Sequence, residues 1–257
     1  DFELLKLVGS GTFGKLWKVK QLAPLQRVVA MKVLYKDQVE GQNMVDHTNL
    51  ECEIMATTNH PYVCKLYYSF QSERRLYLVM EYLSGGTIFH YLRERGSPFK
   101  ERHVLVYAAQ IVCALRVLHA ANIVYRDLKL ENILLDKRGC IRLTDFGLAA
   151  KLTAKRPRVS SFSGSKVNLA PEVFSEENQT LGHGKSVDWW ACGVAFHLML
   201  TQEAPIWHDD FREHIKLILY GEKVNVRLRH GQLSDAVADL LNSLLERDPV
   251  KRLGGQA

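Results

Sequence analysis

Short apolar stretches alternate with polar positions along the first part of the chain. Residues 2–8, 16–20, 28–34, 63–70 and 76–80 are rich in β-branched, leucine and aromatic side chains, and each reads as a strand. Residues 45–58 contain neither glycine nor proline and read as a helix between the third and fourth strands. The pattern changes after Gly85-Gly86. Over residues 102–120, Val104, Ala108, Ile111, Val112, Leu115 and Leu118 recur at helical spacing. Residues 187–200, 211–220 and 233–245 also read as helices, and short strands at 133–135 and 141–143 flank a turn at 137–139. A strand-rich part thus precedes a helix-rich part, an α+β arrangement with residues 1–82 as one domain and 83–257 as the other. The join at residues 81–86 is a natural hinge, and there is no internal repeat or low-complexity stretch.

Composition narrows this picture without deciding it. With 257 residues, 47% apolar and 24% charged, the chain can bury a sizeable core and is not disordered by default. The longest apolar passage, around residues 189–200, is interrupted by Gly193 and His197, so no stretch reaches the about 18 apolar residues of a membrane span. Asp1 opens the chain without an initiator Met or a charged-then-apolar leader, so the sequence reads as a piece of a longer one. The five cysteines are odd in number and form no C-x-x-C pair, which points to reduced thiols in a cytosolic or nuclear protein. The ten histidines show no metal-ligand spacing. A net charge of +6 fits both a handler of polyphosphates and a nucleic-acid binder. The basic residues are dispersed, and no nucleic-acid recognition motif or aromatic–basic alternation accompanies them.

Gly9-Ser10-Gly11-Thr12-Phe13-Gly14 matches G-x-G-x-x-G, in which glycines let backbone N–H groups approach phosphate oxygens. A dinucleotide-binding turn would need a helix to follow. Lys15-Leu16-Trp17-Lys18-Val19-Lys20 alternates instead, so a strand–loop–strand hairpin over phosphates fits better. The motif alone leaves an ordinary glycine-rich hairpin open. In Val29-Ala30-Met31-Lys32, period-two geometry places Ala30 and Lys32 on one face, the small side chain leaving room for a flat base and the lysine reaching towards phosphate. A strand lysine more often faces solvent. Glu51 in the following helix raises the odds of a function, because its carboxylate can aim the ammonium, whereas Glu53 turns to another face.

Tyr125-Arg126-Asp127-Leu128-Lys129-Leu130-Glu131-Asn132 is more specific. Asp127 can orient an attacking hydroxyl and accept its proton, Lys129 can neutralise a moving phosphoryl group, and Asn132 offers a neutral oxygen to magnesium. Asp145-Phe146-Gly147 then supplies a hard anionic oxygen for magnesium on the phosphates. The plain alternative, a polar loop with a caged aspartate, would have to arise independently at both places.

With these residues in this order the chain resembles the protein kinase family along essentially all its length. Ala170-Pro171-Glu172, Asp188 and Arg252 extend the match, and the roles are those of a general template for phosphoryl transfer. The resemblance implies a bilobal protein kinase fold: a small antiparallel β-sheet lobe with one main helix, and a larger, mostly helical lobe. It implies catalytic roles for Asp127, Lys129, Lys32 and Glu51, and magnesium, as two ions, at Asn132 and Asp145. It implies ATP contacts at Val8, Gly9, Ser10, Gly11, Thr12, Phe13, Gly14, Lys15, Leu16, Ala30, Lys32, Glu81, Leu83, Glu131, Asn132, Leu134 and Asp145. Met80 would guard the back of the adenine pocket, and Met55, Leu66, Tyr125 and Phe146 would form an apolar column. Asp188 would brace the catalytic loop, and Arg252 would pair with Glu172. The implied activity is ATP-dependent phosphorylation of a protein Ser/Thr hydroxyl by a monomeric catalytic domain, without nucleic acid or a membrane span. The competing reading is a catalytically weak kinase-fold scaffold that binds nucleotide and protein partners.

Met80-Glu81-Tyr82 before Gly85-Gly86, Lys129 after Asp127-Leu128, and Val187-Asp188-Trp189-Trp190 are similar to the AGC group of Ser/Thr kinases. The chain departs from that group at Gly164-Ser165-Lys166-Val167-Asn168, where Gly-Thr-Pro-Glu-Tyr is usual. Thr87, Val167 and His197 stand where the group places carboxylates that hold substrate arginines, and only Glu131 remains. With Lys151, Lys155, Arg156 and Arg158 nearby, arginine-rich substrates are not expected. Ser161 aligns with a regulatory phosphosite for an upstream kinase, its phosphate pairing with Arg126 and His47; the lysine that often assists is replaced by Ala150. Otherwise Ser160, Ser161 and Ser163 are simply a polar loop.

Overall fold

The computed structural model describes every residue except 12–13, 23–24, 43, 162–163, 175–181, 230 and 256–257. It divides the chain into two compact units, Asp1–Gly86 with Leu134–Gly147, and Thr87–Ile133 with Leu148–Ala257.

The first unit is built on a five-stranded antiparallel sheet ordered β1-β2-β3-β5-β4. Its strands are β1 (Phe2–Gly11), β2 (Gly14–Gln21), β3 (Val28–Tyr35), β4 (Leu66–Gln71) and β5 (Arg75–Glu81). Alternation in β3 sorts the two faces. Val29, Met31 and Val33 join Val19 and Val79 in an apolar cluster bordered by Phe2, Trp17, Tyr67 and Tyr77, while Ala30 and Lys32 point the other way. Two helices follow β3: α1 (Lys36–Gly41) and α2 (Val45–Thr57). The fourth strand starts later than the apolar run predicts, because Val63 pairs with Leu143 in an isolated parallel bridge and the Cys64 N–H donates to the Leu143 carbonyl at 2.9 Å. That bridge explains why residues 134–147 belong to this unit. They carry β8 (Ile141–Leu143) and most of β7 (Ile133–Leu135), and Leu135 exchanges backbone hydrogen bonds of 2.9 Å with Gly85 and Gly86.

The second unit is mostly helical. It contains α3 (Ile88–Arg95), α4 (Glu101–Ala120), α5 (Ser186–Thr201), α6 (Phe211–Tyr220), α7 (Val226–Arg229) and α8 (Asp235–Leu244). The short strands β6 (Ile123–Val124) and β9 (Ala150–Lys151) pair antiparallel. α5 is buried almost all round, as a helix apolar on every face must be, and forms the unit's axis. Trp190, Val187 and Val194 of that helix pack with Val124, Leu169, Ala170, Val173, Ile218 and Leu245. In α4 the buried stripe is Val104, Ala108, Ile111, Ala114, Leu115 and Leu118; Ala114 takes the inner place expected of Val112, which is half-buried. Among the described residues α4 alone has the length and apolarity of a membrane span, and its buried stripe between exposed Arg102 and Arg116 is that of a core helix. Sequence periodicity misses α3, which is marked by a cap and a stop: Thr87 Oγ1 accepts from the His90 N–H at 3.1 Å, and Gly96 ends the helix at φ 64°.

Candidate functional site

Each unit gathers its own set of polar side chains. In the first, β1 and β2 form a hairpin in which Gly9 faces Leu16, Ser10 faces Lys15 and Gly11 faces Gly14. A strand follows the glycines, so the dinucleotide turn is excluded. Thr12 and Phe13 lie outside the described residues. Only Gly14 is a glycine for packing reasons: a Cβ there would come within 1.9 Å of the Val33 carbonyl oxygen. A Cβ on Gly11 would meet nothing within 4 Å, and one on Gly9 only Leu16 at 3.8 Å. Packing does not demand those two glycines.

Lys32 reaches Glu51 in α2 by a bidentate contact, Nζ to Oε1 at 2.7 Å and to Oε2 at 2.8 Å. Asp145 Oδ1 lies 3.7 Å from the same ammonium. Burial pulls Lys32 down, but the carboxylates of Glu51 and Asp145 outweigh it and hold the lysine above its ordinary value. Burial lifts the Glu51 carboxyl against the pull of Lys32, which meets it through a short bidentate contact. Glu53 is exposed, as its different helical face requires. Asp145 sits at φ 58°, a left-handed conformation costly for a non-glycine residue, and its side chain is 53% exposed.

Lys32 and Ala30 share a face of β3, opposite Leu78 and Met80 of β5. The Glu81 side chain is used structurally, accepting from the Lys65 N–H at 3.1 Å and from Arg142 Nε at 3.2 Å. Leu83 is buried, yet neither its N–H nor its C=O has a hydrogen-bond partner among the described residues. Val8 and Lys15 are exposed, while Leu16 and Leu134 are half-buried. Met55 and Phe146 are buried in this unit, Leu66 is half-buried, and Tyr125 is buried in the other.

In the second unit the segment from Tyr125 to Asn132 follows β6. Its backbone is gripped by Asp188, a fully buried carboxylate in the first turn of α5. Asp188 Oδ2 accepts from the Tyr125 N–H at 2.9 Å, and Oδ1 accepts from the Arg126 N–H at 2.7 Å. His119, which sequence reasoning missed, lies 2.8 Å from Asp188 Oδ2 through Nε2. Its place at the end of α4, just before β6, was the available signal. Arg126 sits at φ 65°, a second strained position. The fixed loop presents Asp127, which is 5% exposed. Asp127 Oδ2 accepts from Lys129 Nζ at 2.7 Å and from Asn132 Nδ2 at 2.8 Å, while Oδ1 lies 3.4 Å from the Ser165 hydroxyl. Glu131 is exposed. Arg126 Nη1 donates to Ser161 Oγ at 2.7 Å. Ser163 lies outside the described residues.

Two further expectations have outcomes here. Arg252 pairs with Glu172, Nη2 to Oε2 at 2.8 Å, and also donates to the carbonyls of Ser186 at 2.9 Å and Glu246 at 2.8 Å. His197, which stands where the group places a carboxylate, is buried. It is 1% exposed within α5, with Nδ1 2.7 Å from the Glu203 carbonyl, because that turn of the helix points into the core. Thr87 is the cap of α3, and Val167 packs partly against the apolar cluster of α5.

The comparisons with known proteins agree with this geometry. Residues 2–257 match the family model for the protein kinase domain. The human RAC-beta serine/threonine-protein kinase is 41% identical over 255 residues, covering 99% of this chain and 51% of the relative. A RAC family serine/threonine-protein kinase homolog from Dictyostelium discoideum is 43% identical over 254 residues, covering 98% of this chain and 55% of the relative. The chain thus spans about half the length of these curated relatives. The ordered set from the glycine hairpin to Arg252, held in the geometry above, and the match along nearly the whole sequence lead to one conclusion: the chain belongs to the protein kinase domain family.

Proposed function

We propose that the chain catalyses ATP-dependent phosphorylation of Ser/Thr hydroxyls in proteins. The observation that carries this reading is the setting of Asp127: a buried carboxylate with one oxygen fixed by Lys129 and Asn132 and the other turned to a hydroxyl. Such a group can align an acceptor hydroxyl and take its proton as the oxygen bonds to the γ-phosphorus and the bond to the ADP oxygen breaks. Lys129, on the same carboxylate, is placed to offset charge on the transferred group. In the first unit Lys32, aimed by Glu51, is suited to the α- and β-phosphates, and the unengaged backbone of Leu83 to an adenine edge.

Protein kinases use ATP with Mg2+, and the residues fit that ion. Asp145 offers a half-exposed carboxylate, and Asn132 an amide. Among the described residues no group of three or more His, Cys, Asp or Glu converges on one point, as suits an ion that shares phosphate oxygens with few protein ligands. Bound there, Mg2+ supplies a Lewis acid for the phosphate oxygens, and we assign two such ions to these residues. Phosphorylation of Ser161 by an upstream kinase would bring a dianion onto Arg126, which already meets its hydroxyl. A binding-only scaffold has less in its favour, since Lys32, Glu51, Asp127, Lys129, Asn132 and Asp145 are all present and the relatives are named serine/threonine-protein kinases.

The test is phosphate transfer from Mg-ATP to a degenerate Ser/Thr peptide library, with Asp145→Asn as the control. Transfer by the natural chain and its loss in the variant are expected. Equal incorporation by both proteins, or none by either, would sink the proposal.

A further inference from the structure

Resting on that reading, the next question is which hydroxyls the enzyme prefers, and the segment beside Asp127 answers it. Ser165, whose hydroxyl lies 3.4 Å from Asp127, is followed directly by Lys166 at the head of a short 3-10 turn (Lys166–Asn168). A surface lysine is normally mobile and loses much side-chain freedom when fixed. Lys166 is already fixed. Its ammonium donates to the carbonyls of His208 at 3.0 Å and Asp209 at 2.7 Å, and it lies 4.7 Å from the centre of the Trp207 ring and 5.7 Å from that of Phe211. Its own carbonyl meets Nε2 of the buried His214 at 3.1 Å.

All of these partners are neutral. Carbonyl dipoles and ring faces hold a cation in place without cancelling its charge. The acids beside those carbonyls make their direct hydrogen bonds elsewhere: Asp209 Oδ1 accepts from Trp207 Nε1 at 3.2 Å, and Asp210 Oδ1 caps α6 through the N–H groups of Arg212 and Glu213 at 2.9 and 3.0 Å, while Lys166 acts on Asp210 only through space, helping those N–H groups to hold its carboxyl below the ordinary value. Among the described residues no carboxylate oxygen lies within ion-pair distance of Lys166, although both of its carbonyl contacts are at the surface. A positioned, half-buried cation with no carboxylate in direct contact, one residue from a group on the catalytic aspartate, can take a further anion.

We propose that Lys166 selects protein substrates carrying an Asp or Glu side chain immediately beside the acceptor hydroxyl. The pre-ordered ammonium gains a direct carboxylate partner from the substrate, and its immobilisation is already complete before binding. This reverses the preference for flanking arginines that the group resemblance implies. Thr87, Val167 and the buried His197 provide no acid to hold them.

A positional-scanning Ser/Thr peptide library with Mg-ATP tests this on the natural chain. A single charge pair near a protein surface supports about tenfold enrichment of Asp and Glu over Ala at a position adjoining the acceptor. Lys166→Glu should turn that enrichment into one for Arg and Lys at the same position, and Lys166→Met should bring the ratio of kcat/KM for acidic over neutral peptide to about one. Transfer without acidic selection by the natural chain, or selection for arginine there, overturns the inference while leaving phosphotransfer standing. Fluorescence anisotropy with an Asp-flanked and an Ala-flanked peptide reads binding without chemistry. Equal affinities overturn the inference as well, whereas tighter binding of the acidic peptide supports it whether or not transfer is seen.

Discussion

Glu51 in the first unit and Asp188 in the second are both buried carboxylates that hold a reactive group, but they hold it by different means. Glu51 grips a side chain, the ammonium of Lys32, through two short contacts. Asp188 grips backbone, taking the N–H groups of Tyr125 and Arg126 so that the next residue, Asp127, is presented. A side-chain grip can be lost with the rest of the strand intact. A backbone grip at a strained residue is part of the fold, because Arg126 at φ 65° is kept there by what surrounds it. The first arrangement should therefore fail by losing activity, and the second by losing stability as well.

The sharpest break of that contrast is Asp188→Ala. It strands the two N–H groups and the imidazole of His119 in the core, and a loss of about 3–5 kcal/mol of unfolding free energy is expected, together with transfer activity. Chemical denaturation followed by circular dichroism reads the first, and an ATP-dependent peptide assay the second. A variant as stable as the parent would show that the loop holds itself.

Glu51→Gln is the counterpart. It keeps the size of the side chain and removes the charge that aims Lys32, so transfer should fall by about a hundredfold. The stability change should stay below that of Asp188→Ala, because β3 and α2 keep their own packing. Loss of stability equal to the Asp188 variant would erase the distinction between the two grips.

The two units were also unequally legible. Period-two alternation gave Ala30 and Lys32 their common face, and the glycine hairpin its strand–loop–strand form, because both follow from local geometry. Helices with a continuous apolar stripe, such as α4 and α6, were visible for the same reason. What periodicity could not show depends on distant partners. Val63 leaves its strand for a bridge to Leu143, and β6 finds β9 across a long interval of chain. His197 is instructive. The sequence showed that it lacks the carboxylate of the group pattern, but not that α5, buried on nearly every side, turns it inward. The anchoring of Lys166 was equally out of reach, since its acceptors are carbonyls, which carry no sequence signature.

Acid should distinguish the second unit further. His183, 3% exposed, trades backbone hydrogen bonds of 2.9 and 2.8 Å with Val159 and so ties down the segment beyond β9. Burial first, and then the nearby Arg126 guanidinium, depress its imidazole from 6.5 to about 4. Between those values the unfolded chain binds a proton that the folded chain refuses. Stability from this residue is therefore complete above pH 6.5 and lost as pH falls towards 4. At about 1.4 kcal/mol per pH unit the loss is about 3 kcal/mol. Denaturant midpoints measured from pH 7.5 down to pH 4.5 should drop more steeply for the natural chain than for His183→Gln. Parallel curves would mean that the histidine titrates alike in both states.

The smallest expected effect tests whether a residue can serve the fold and the substrate at once. Thr87 caps α3 through the His90 N–H, so Thr87→Ala should cost about 1 kcal/mol. Thr87→Asp keeps an equally good cap and adds a negative charge at a helix N-terminus, where it is welcome, so stability should stay within about 0.5 kcal/mol of the parent. The same substitution restores an acid at a position that the group resemblance assigns to substrate arginines. If that position does meet the peptide, arginine selection should rise modestly in Thr87→Asp and not in Thr87→Ala, while the acidic selection set by Lys166 is retained. Because the two alanine and aspartate variants differ little in fold stability compared with the Asp188 and Glu51 changes, any difference in their peptide preference reports on charge at the acceptor side alone.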